Sequence, residues 1–267
     1  MRSPLRWAGS KRQIAPTLRA FWSDTFSRYI EPFAGSACLF FEIKPARALL
    51  GDLNWELISA LQQIRDNPHE LVDRLQQFPV GEKAYYAIRR AVPQRMSALD
   101  VAARFLYLNR YCFNGLYRTN RAGTFNVPYG PPKSGLGIDR DLLFAASAAL
   151  QSADLVRGDF QTTADKAEPG DFVYMDPPYV VAQRRVFAEY CPQSFAVRDL
   201  IRLADTIASL HARNVHFLVS YADCAEARKL FCRWSPRRVR TRRNIAGFAG
   251  SRRNSYELLA SNAALLR

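Results

Sequence analysis

Asp171-Phe172-Val173-Tyr174-Met175-Asp176-Pro177-Pro178-Tyr179 reads as an apolar strand that stops at an acid, two prolines and a ring. A short apolar run bounded by turn residues predicts a strand buried on both faces. The two prolines carry no N–H and fix the backbone, so the main-chain carbonyls beside Asp176 stay outside the sheet's hydrogen-bond ladder. In an open α/β sheet the carboxyl ends of strands are where ligands bind. A carboxylate beside a free carbonyl is a pair of acceptors that fits the two N–H donors of an exocyclic amino group, and Tyr179 offers a flat face to an aromatic base. Held by both hydrogens, such a nitrogen is drawn toward tetrahedral geometry and shows its lone pair to an electrophile. The rival reading is a strand that simply ends in a proline turn.

Upstream, Arg28-Tyr29-Ile30 runs into Glu31-Pro32-Phe33-Ala34-Gly35-Ser36-Ala37 and a helix-like stretch, and Arg47-Ala48-Leu49-Leu50 is a second strand ending at Asp52. This is a strand, glycine turn, helix, strand and acid in succession. Gly35 lets a ligand approach the backbone, and the following helix start favours anionic groups. Asp52 stands 17 residues after Gly35, near the spacing at which an acid grips ribose hydroxyls. The single glycine departs from the dinucleotide pattern G-x-G-x-x-G and favours a nucleoside with a small carboxylate tail, such as S-adenosylmethionine.

Residues 55–110 carry helical spacing with breaks at Pro68, Pro79 and Pro93, and 111–137 read as a loop or hairpin. Alternation then resumes. Leu155-Val156 lead to Gly158-Asp159-Phe160, 196–211 form an amphipathic helix, and 215–219 form a further strand. The fold class expected is α/β, with a parallel sheet interrupted by a helical and hairpin insertion.

The chain has 38 Lys+Arg against 24 Asp+Glu, a net +14, and 32 of the basic residues are arginine. With 48% hydrophobic and 12% aromatic residues it is no disordered polybasic tail. Val101–Ile138 holds five basic residues and no acid, Ala227–Tyr256 holds ten and no acid, and the rest of the chain nets −1. Two acid-free runs around a balanced body predict two patches on one binding surface, with nucleic acid first among partners. No apolar run approaches the ~18 residues of a membrane span, and the N-terminus lacks a signal-peptide core, so the expected location is cytoplasmic. Cys38, Cys112, Cys191, Cys224 and Cys232 form no C-x-x-C pair, which argues against disulfides and zinc. No metal set forms around His69, His211 and His216 either, and with Trp22, Trp55 and Trp234 they read as packing residues.

Leu5-Arg6-Trp7-Ala8-Gly9-Ser10-Lys11, Glu31 to Ala37, Asp52-Leu53-Asn54, Phe105 to Tyr111, Asn114-Gly115, Phe125-Asn126-Val127-Pro128 and Asp176 to Tyr179 follow one another in an order that resembles the Dam-type (D12 class) DNA adenine-N6 methyltransferases. The resemblance spans nearly the whole chain. It implies a Rossmann-like S-adenosylmethionine-dependent domain at 1–55 and 150–267, with a target-recognition insertion at 56–149.

Carried over by position, the resemblance puts Trp7, Ala8, Gly9, Lys11, Phe33, Gly35, Asp52, Asp159, Phe160 and Asp176 at the cofactor. It puts Asp176, Pro177, Pro178 and Tyr179 at the reacting amino group of an extruded adenine in double-stranded DNA. Arg6, Phe113, Asn114, Leu116, Arg118 and Pro128 would meet the target site, while Arg242 and Arg252 would lie near the backbone in a late hairpin. GATC is the target it suggests, and it implies a bacterial or phage-borne enzyme at the nucleoid, with a cognate restriction endonuclease as one partner. Three departures stand out: Ser10 where a second glycine is common, Phe113 where Tyr is common, and Pro131-Pro132 after the hairpin. C5 methylation would need a thiolate after proline, and Cys191-Pro192 has the reverse order. Methylation of cytosine N4 or an RNA base, and a catalytically silent DNA-binding relative, are the alternative readings.

Overall fold

The computed structural model describes residues 1–130, 137, 139–179, 195–242 and 254–263. After the short helix α1 (Ala15–Arg19) come β1 (Tyr29–Glu31), α2 (Cys38–Ile43) and β2 (Ala48–Asp52). Five helices follow before the next strand: α3 (Trp55–Asp66), α4 (Pro68–Gln76), α5 (Glu82–Arg90), α6 (Ala98–Tyr111) and α7 (Arg140–Leu150). Then come β3 (Ala153–Arg157), α8 (Phe160–Ala164), β4 (Phe172–Met175), α9 (Val197–Ala212), β5 (His216–Ala222), α10 (Ala225–Phe231), β6 (Arg237–Arg242) and β7 (Asn254–Ser261).

The strands form one sheet in the order β3-β2-β1-β4-β5-β7-β6. The first five pair in parallel, Ile30 facing Leu49 and Val173, and Met175 facing Val219. β7 runs antiparallel to both β5 and β6. β1 is flanked by β2 on one side and β4 on the other, so the chain reverses direction across the sheet between β1 and β4. That reversal opens a crevice at the carboxyl ends of these two strands.

Side chains alternate between two cores, as the period of a strand demands. Tyr29, Leu50, Phe172, Tyr174 and Leu218 face the helices of the first half, while Ile30, Leu49, Val173, Met175, Phe217 and Val219 face α8, α9 and α10. The breaks in 55–110 fall where proline requires. Pro68 opens α4 at its first turn, Pro79 lies between α4 and α5, and Pro93 starts a 3-10 turn before α6. Asn54, Ser97 and Asp139 cap α3, α6 and α7 by accepting backbone N–H groups. Residues 111–130 form the hairpin-like segment expected, with bridges Cys112 to Tyr129 and Thr119 to Phe125. Beyond the hairpin, Pro131-Pro132 lie outside the described residues.

The basic stretch around 237–242 belongs to the sheet as β6, paired with β7 from Arg237–Leu259 to Arg242–Asn254. No helix among the described residues is long and apolar enough to cross a membrane. The histidines pack on rings: His69 on Phe144, His211 on Trp234, His216 on Phe26.

Candidate active site

Asp176 follows β4 at the crevice, half in and half out of the protein. Lys11 Nζ lies 2.7 Å from its Oδ1, with the lysine side chain only 4% exposed. The Ser220 hydroxyl donates to the same oxygen at 3.0 Å, and Tyr174 Oη lies 2.9 Å from Ser220 Oγ. Ser220 stands on β5, beside the strand that carries Asp176, because Met175 pairs with Val219. Every hydrogen bond Asp176 receives from the described residues falls on Oδ1, so Oδ2 keeps its lone pairs. Burial raises the pKa of the Asp176 carboxyl, while Lys11 and then Ser220 pull it down.

Lys11 is held from several directions. Its ammonium donates to the Gly9 carbonyl at 3.0 Å, lies 3.9 Å from Glu257 of β7 and sits 5.1 Å over the Tyr179 ring. Tyr179 packs edge-on against Tyr221. Lys11, assigned to the cofactor by the family resemblance, thus lies against Asp176, which the resemblance assigned to both the cofactor and the reacting amino group. Pro177 is buried, Pro178 exposed.

The glycine turn is built against the N-terminal segment. Gly35 has φ +47°, and a Cβ there would come within 2.9 Å of Trp7 Nε1. The Gly35 N–H donates to Asp52 Oδ2 at 3.0 Å, and Asn54 N–H donates to Oδ1 at 2.9 Å. These bonds tie the ends of β1 and β2 together. Burial raises the pKa of Asp52 against both N–H donors. Glu31 is buried, accepts from Tyr29 Oη at 2.9 Å, and has a pKa pushed well up, first by burial and further by Asp176 and Asp52. Three acids, Glu31, Asp52 and Asp176, therefore converge on the crevice, with Lys11 paired to Asp176. Ala8 and Gly9 are exposed beside them.

At the far end Phe33 stacks on Phe160 at 5.0 Å, and Arg202 of α9 covers Phe160 at 4.8 Å. Arg202 also pairs with Asp159 at 2.5 Å, and Asp159 caps α8 through the Gln161 N–H. The Gly158 N–H donates to the Asp52 carbonyl, which brings this aromatic end next to β2.

The residues assigned to DNA gather in two groups. Arg6 is clasped by Asn109, which accepts its N–H and donates to its carbonyl, and its guanidinium donates to the Arg110 carbonyl at 2.7 Å. Gly115, at φ +63°, lies against Arg6. Asn114 at φ +54° and the exposed Phe113 precede it in a 3-10 turn, and the Phe113 N–H donates to the Pro128 carbonyl. Leu116 follows, half-buried against the core. Arg118 folds back along the hairpin, donating to the Asn126 side chain at 2.8 Å. Arg242 ends β6 at the same edge of the sheet as Asp176, because β6 and β5 are both antiparallel to β7. Arg252 lies outside the described residues, as do Arg243 and Arg253.

Ser220, Tyr174, Glu257 and Arg202 were not foreseen from the sequence. Ser220 had a signal, a polar residue inside the apolar run from Phe217 to Tyr221.

A family model described as D12 class N6 adenine-specific DNA methyltransferase matches residues 7–245. The chain is 33% identical to the type II methyltransferase M1.LlaDCHI of Lactococcus lactis subsp. cremoris, covering 96% of this chain and 94% of the relative. It is 30% identical to the DNA adenine methylase of Escherichia coli K12, over 97% and 94% of the two chains. To the type II methyltransferase M.MjaIII of Methanocaldococcus jannaschii it is 28% identical, over 97% and 98%.

Proposed function

The chain belongs to the D12 class N6 adenine-specific DNA methyltransferases, and from that premise we propose that it transfers a methyl group from S-adenosylmethionine to N6 of an adenine turned out of double-stranded DNA. The observation that carries the reading is Asp176: the bonds it receives from the described residues fall on one oxygen, Oδ1, beside a Pro-Pro backbone without N–H groups.

The residues present fit the cofactor. Asp52 and Asp176 favour a ligand with a positive centre, Asp52 suits a ribose diol, and the Phe33–Phe160 stack suits an adenine ring. Trp7, Ala8, Gly9 and Gly35 would close over it, with Asp159 at the adenine edge. When bound, S-adenosylmethionine supplies an electrophilic methyl group on sulfonium. The target amino group would donate one hydrogen to Asp176 Oδ2 and the other to the Pro177 carbonyl, with its ring on Tyr179. Those contacts would turn the nitrogen's lone pair toward the methyl group, and Asp176 would accept the proton that N6 sheds on methylation. Burial, by raising the Asp176 pKa, makes it a better acceptor for that proton.

Extruding a base costs a few kcal/mol, and stacking on a tyrosine is worth about 1–3 kcal/mol. Residues 56–149 serve in this reading as the target-recognition insertion on a methyltransferase domain of 1–55 and 150–267. Arg6, Phe113, Asn114, Leu116, Arg118 and Pro128 meet the target site, and Arg242 and Arg252 the phosphates. GATC is the proposed target, carried by the likeness of Leu116, Arg118 and Pro128 to base-reading positions. The type II name of the Lactococcus relative extends the proposal to a restriction-linked role with a cognate endonuclease.

The test is nucleoside mass spectrometry of duplex DNA after incubation with methyl-labelled cofactor. N6-methyladenine is expected, confined to GATC duplexes and abolished by Asp176→Ala with DNA binding retained. N4-methylcytosine in its place, or turnover surviving in Asp176→Ala, overturns the reading.

A further inference from the structure

Between the hairpin and the glycine turn runs a chain of contacts that methyl transfer itself does not call for. Tyr117, between Leu116 and Arg118, lays its ring on Trp7 with centroids 5.8 Å apart and planes 18° from parallel. Phe105 and Phe125 flank the same ring at 5.8 and 5.5 Å. Its hydroxyl donates to Glu56 Oε1 at 3.2 Å, while Glu56 Oε2 receives Arg104 Nη1 at 2.8 Å. Both charged side chains are almost wholly enclosed, at 6% and 1% exposure.

Buried charges persist only when paired and hydrogen-bonded, and removing one partner is costly. Arg104 meets that requirement by donating also to the Ile88 and Arg89 carbonyls at the end of α5. The ion pair thereby ties α3, α5 and α6 together and aims a carboxylate oxygen of fixed position at the Tyr117 hydroxyl. On the other side Trp7 abuts Gly35, whose N–H is held by Asp52. A small cavity lined in part by Glu56, Arg104, Phe105, Leu116 and Phe125 adjoins Tyr117.

We propose that Tyr117 is a positioning residue that couples the DNA-reading hairpin to the cofactor turn through Trp7, so that DNA and cofactor alter each other's affinity. The proposal rests on the function proposed above. Arg118 and Leu116 are its chain neighbours, so a hairpin that settles on DNA carries the Tyr117 ring with it. Trp7 follows the ring it stacks on, and Gly35 has no side chain to keep the indole at a distance. By linkage the effect is reciprocal.

The experiment is a binding cycle. The Kd of S-adenosylhomocysteine, which cannot turn over, is measured by calorimetry with and without a GATC duplex, and the duplex Kd with and without S-adenosylhomocysteine. Wild-type protein should show a coupling of about 5-fold or more, the lower end of common allosteric effects. In Tyr117→Leu it should fall to near one, and in Tyr117→Phe, which keeps the ring and loses the bond to Glu56, to an intermediate value. A purely structural role would lower both affinities and leave their ratio intact. Thermal melting establishes that each variant is folded, and Tyr117→Phe alone decides the matter if the leucine variant is not. An unchanged ratio in the folded variants, or a wild-type ratio of one in protein that methylates DNA, overturns the coupling while leaving the function standing. Wild-type protein that neither methylates DNA nor binds S-adenosylhomocysteine overturns both.

Discussion

Lys11 and Asp176, far apart in the sequence, form an ion pair at 2.7 Å inside the crevice, with the lysine almost wholly enclosed. The pair opposes the effect of burial on the carboxylate, and that opposition has a sign that pH can read.

Lys11→Met removes the leading influence that lowers the Asp176 pKa, while burial, which raises it, stays. The proposed mechanism needs the carboxylate, so activity should fall as pH drops through the folded-state pKa. The acidic limb of kcat against pH should therefore move to higher pH in the variant. The other titratable groups around it are Glu31, Asp52, Tyr174 and Glu257, of which Glu257 also faces Lys11 and loses that partner in the variant. An acidic limb at the wild-type position would show that Lys11 does not govern Asp176.

Ser220→Ala deletes the hydroxyl that fixes Asp176 Oδ1. A hydrogen bond to a charged group is worth about 1.5–3 kcal/mol, so kcat should fall about ten-fold or more. The KM for DNA should hardly move, since Ser220 is fully buried. Steady-state kinetics on a single-site duplex separates the two constants.

Glu31→Gln addresses stability. Burial puts the folded-state pKa of Glu31 well above its unfolded value, about 4.3. The folded chain then holds a proton that the unfolded chain has released, so wild-type stability falls as pH rises from the unfolded toward the folded pKa. Glutamine still accepts from Tyr29 but does not titrate. Urea midpoints at pH 5 and pH 8 should differ less in the variant than in the wild type, and equal differences would refute the assignment.

Gly35→Ala forces a side chain into the left-handed region at φ +47° and against Trp7. The conformational cost is about 1–2 kcal/mol, equivalent to a loss of roughly 2–8 °C in Tm for a chain of this size. Displacement of Trp7 should also change the tryptophan emission. A variant with wild-type melting and emission would mean that the turn relaxes freely.

β1, β2, β4 and β5 were legible because strands buried on both faces appear as unbroken apolar runs, and Asp176-Pro177-Pro178 marks where one of them must stop; β3, on the sheet edge with charged Asp154 and Arg157, shows no such run. β6 was not legible as a strand. Arg237-Arg238-Val239-Arg240-Thr241-Arg242 carries four arginines in six residues, and on an edge strand charge hides the alternation that would have shown Val239 and Thr241 facing inward. Gly35 and Asp52, both read from the sequence as cofactor-binding residues, are joined by a hydrogen bond. Ser220 and Glu257 escaped because their importance comes from strand pairing over long separations, which no local pattern records. The fold-back of Arg118 onto Asn126 likewise depends on the turn at Asn120–Thr124, where the Asn120 N–H meets the Thr124 carbonyl.

β7 is last of the strands in the chain but lies inside the sheet, between β5 and β6. As the polypeptide leaves the ribosome, β6 therefore emerges with no sheet neighbour and must wait for β7. Glu257, which faces Lys11, arrives at the same moment. A nascent chain halted before residue 254 would lack both, so the crevice is completed only when translation has passed β7.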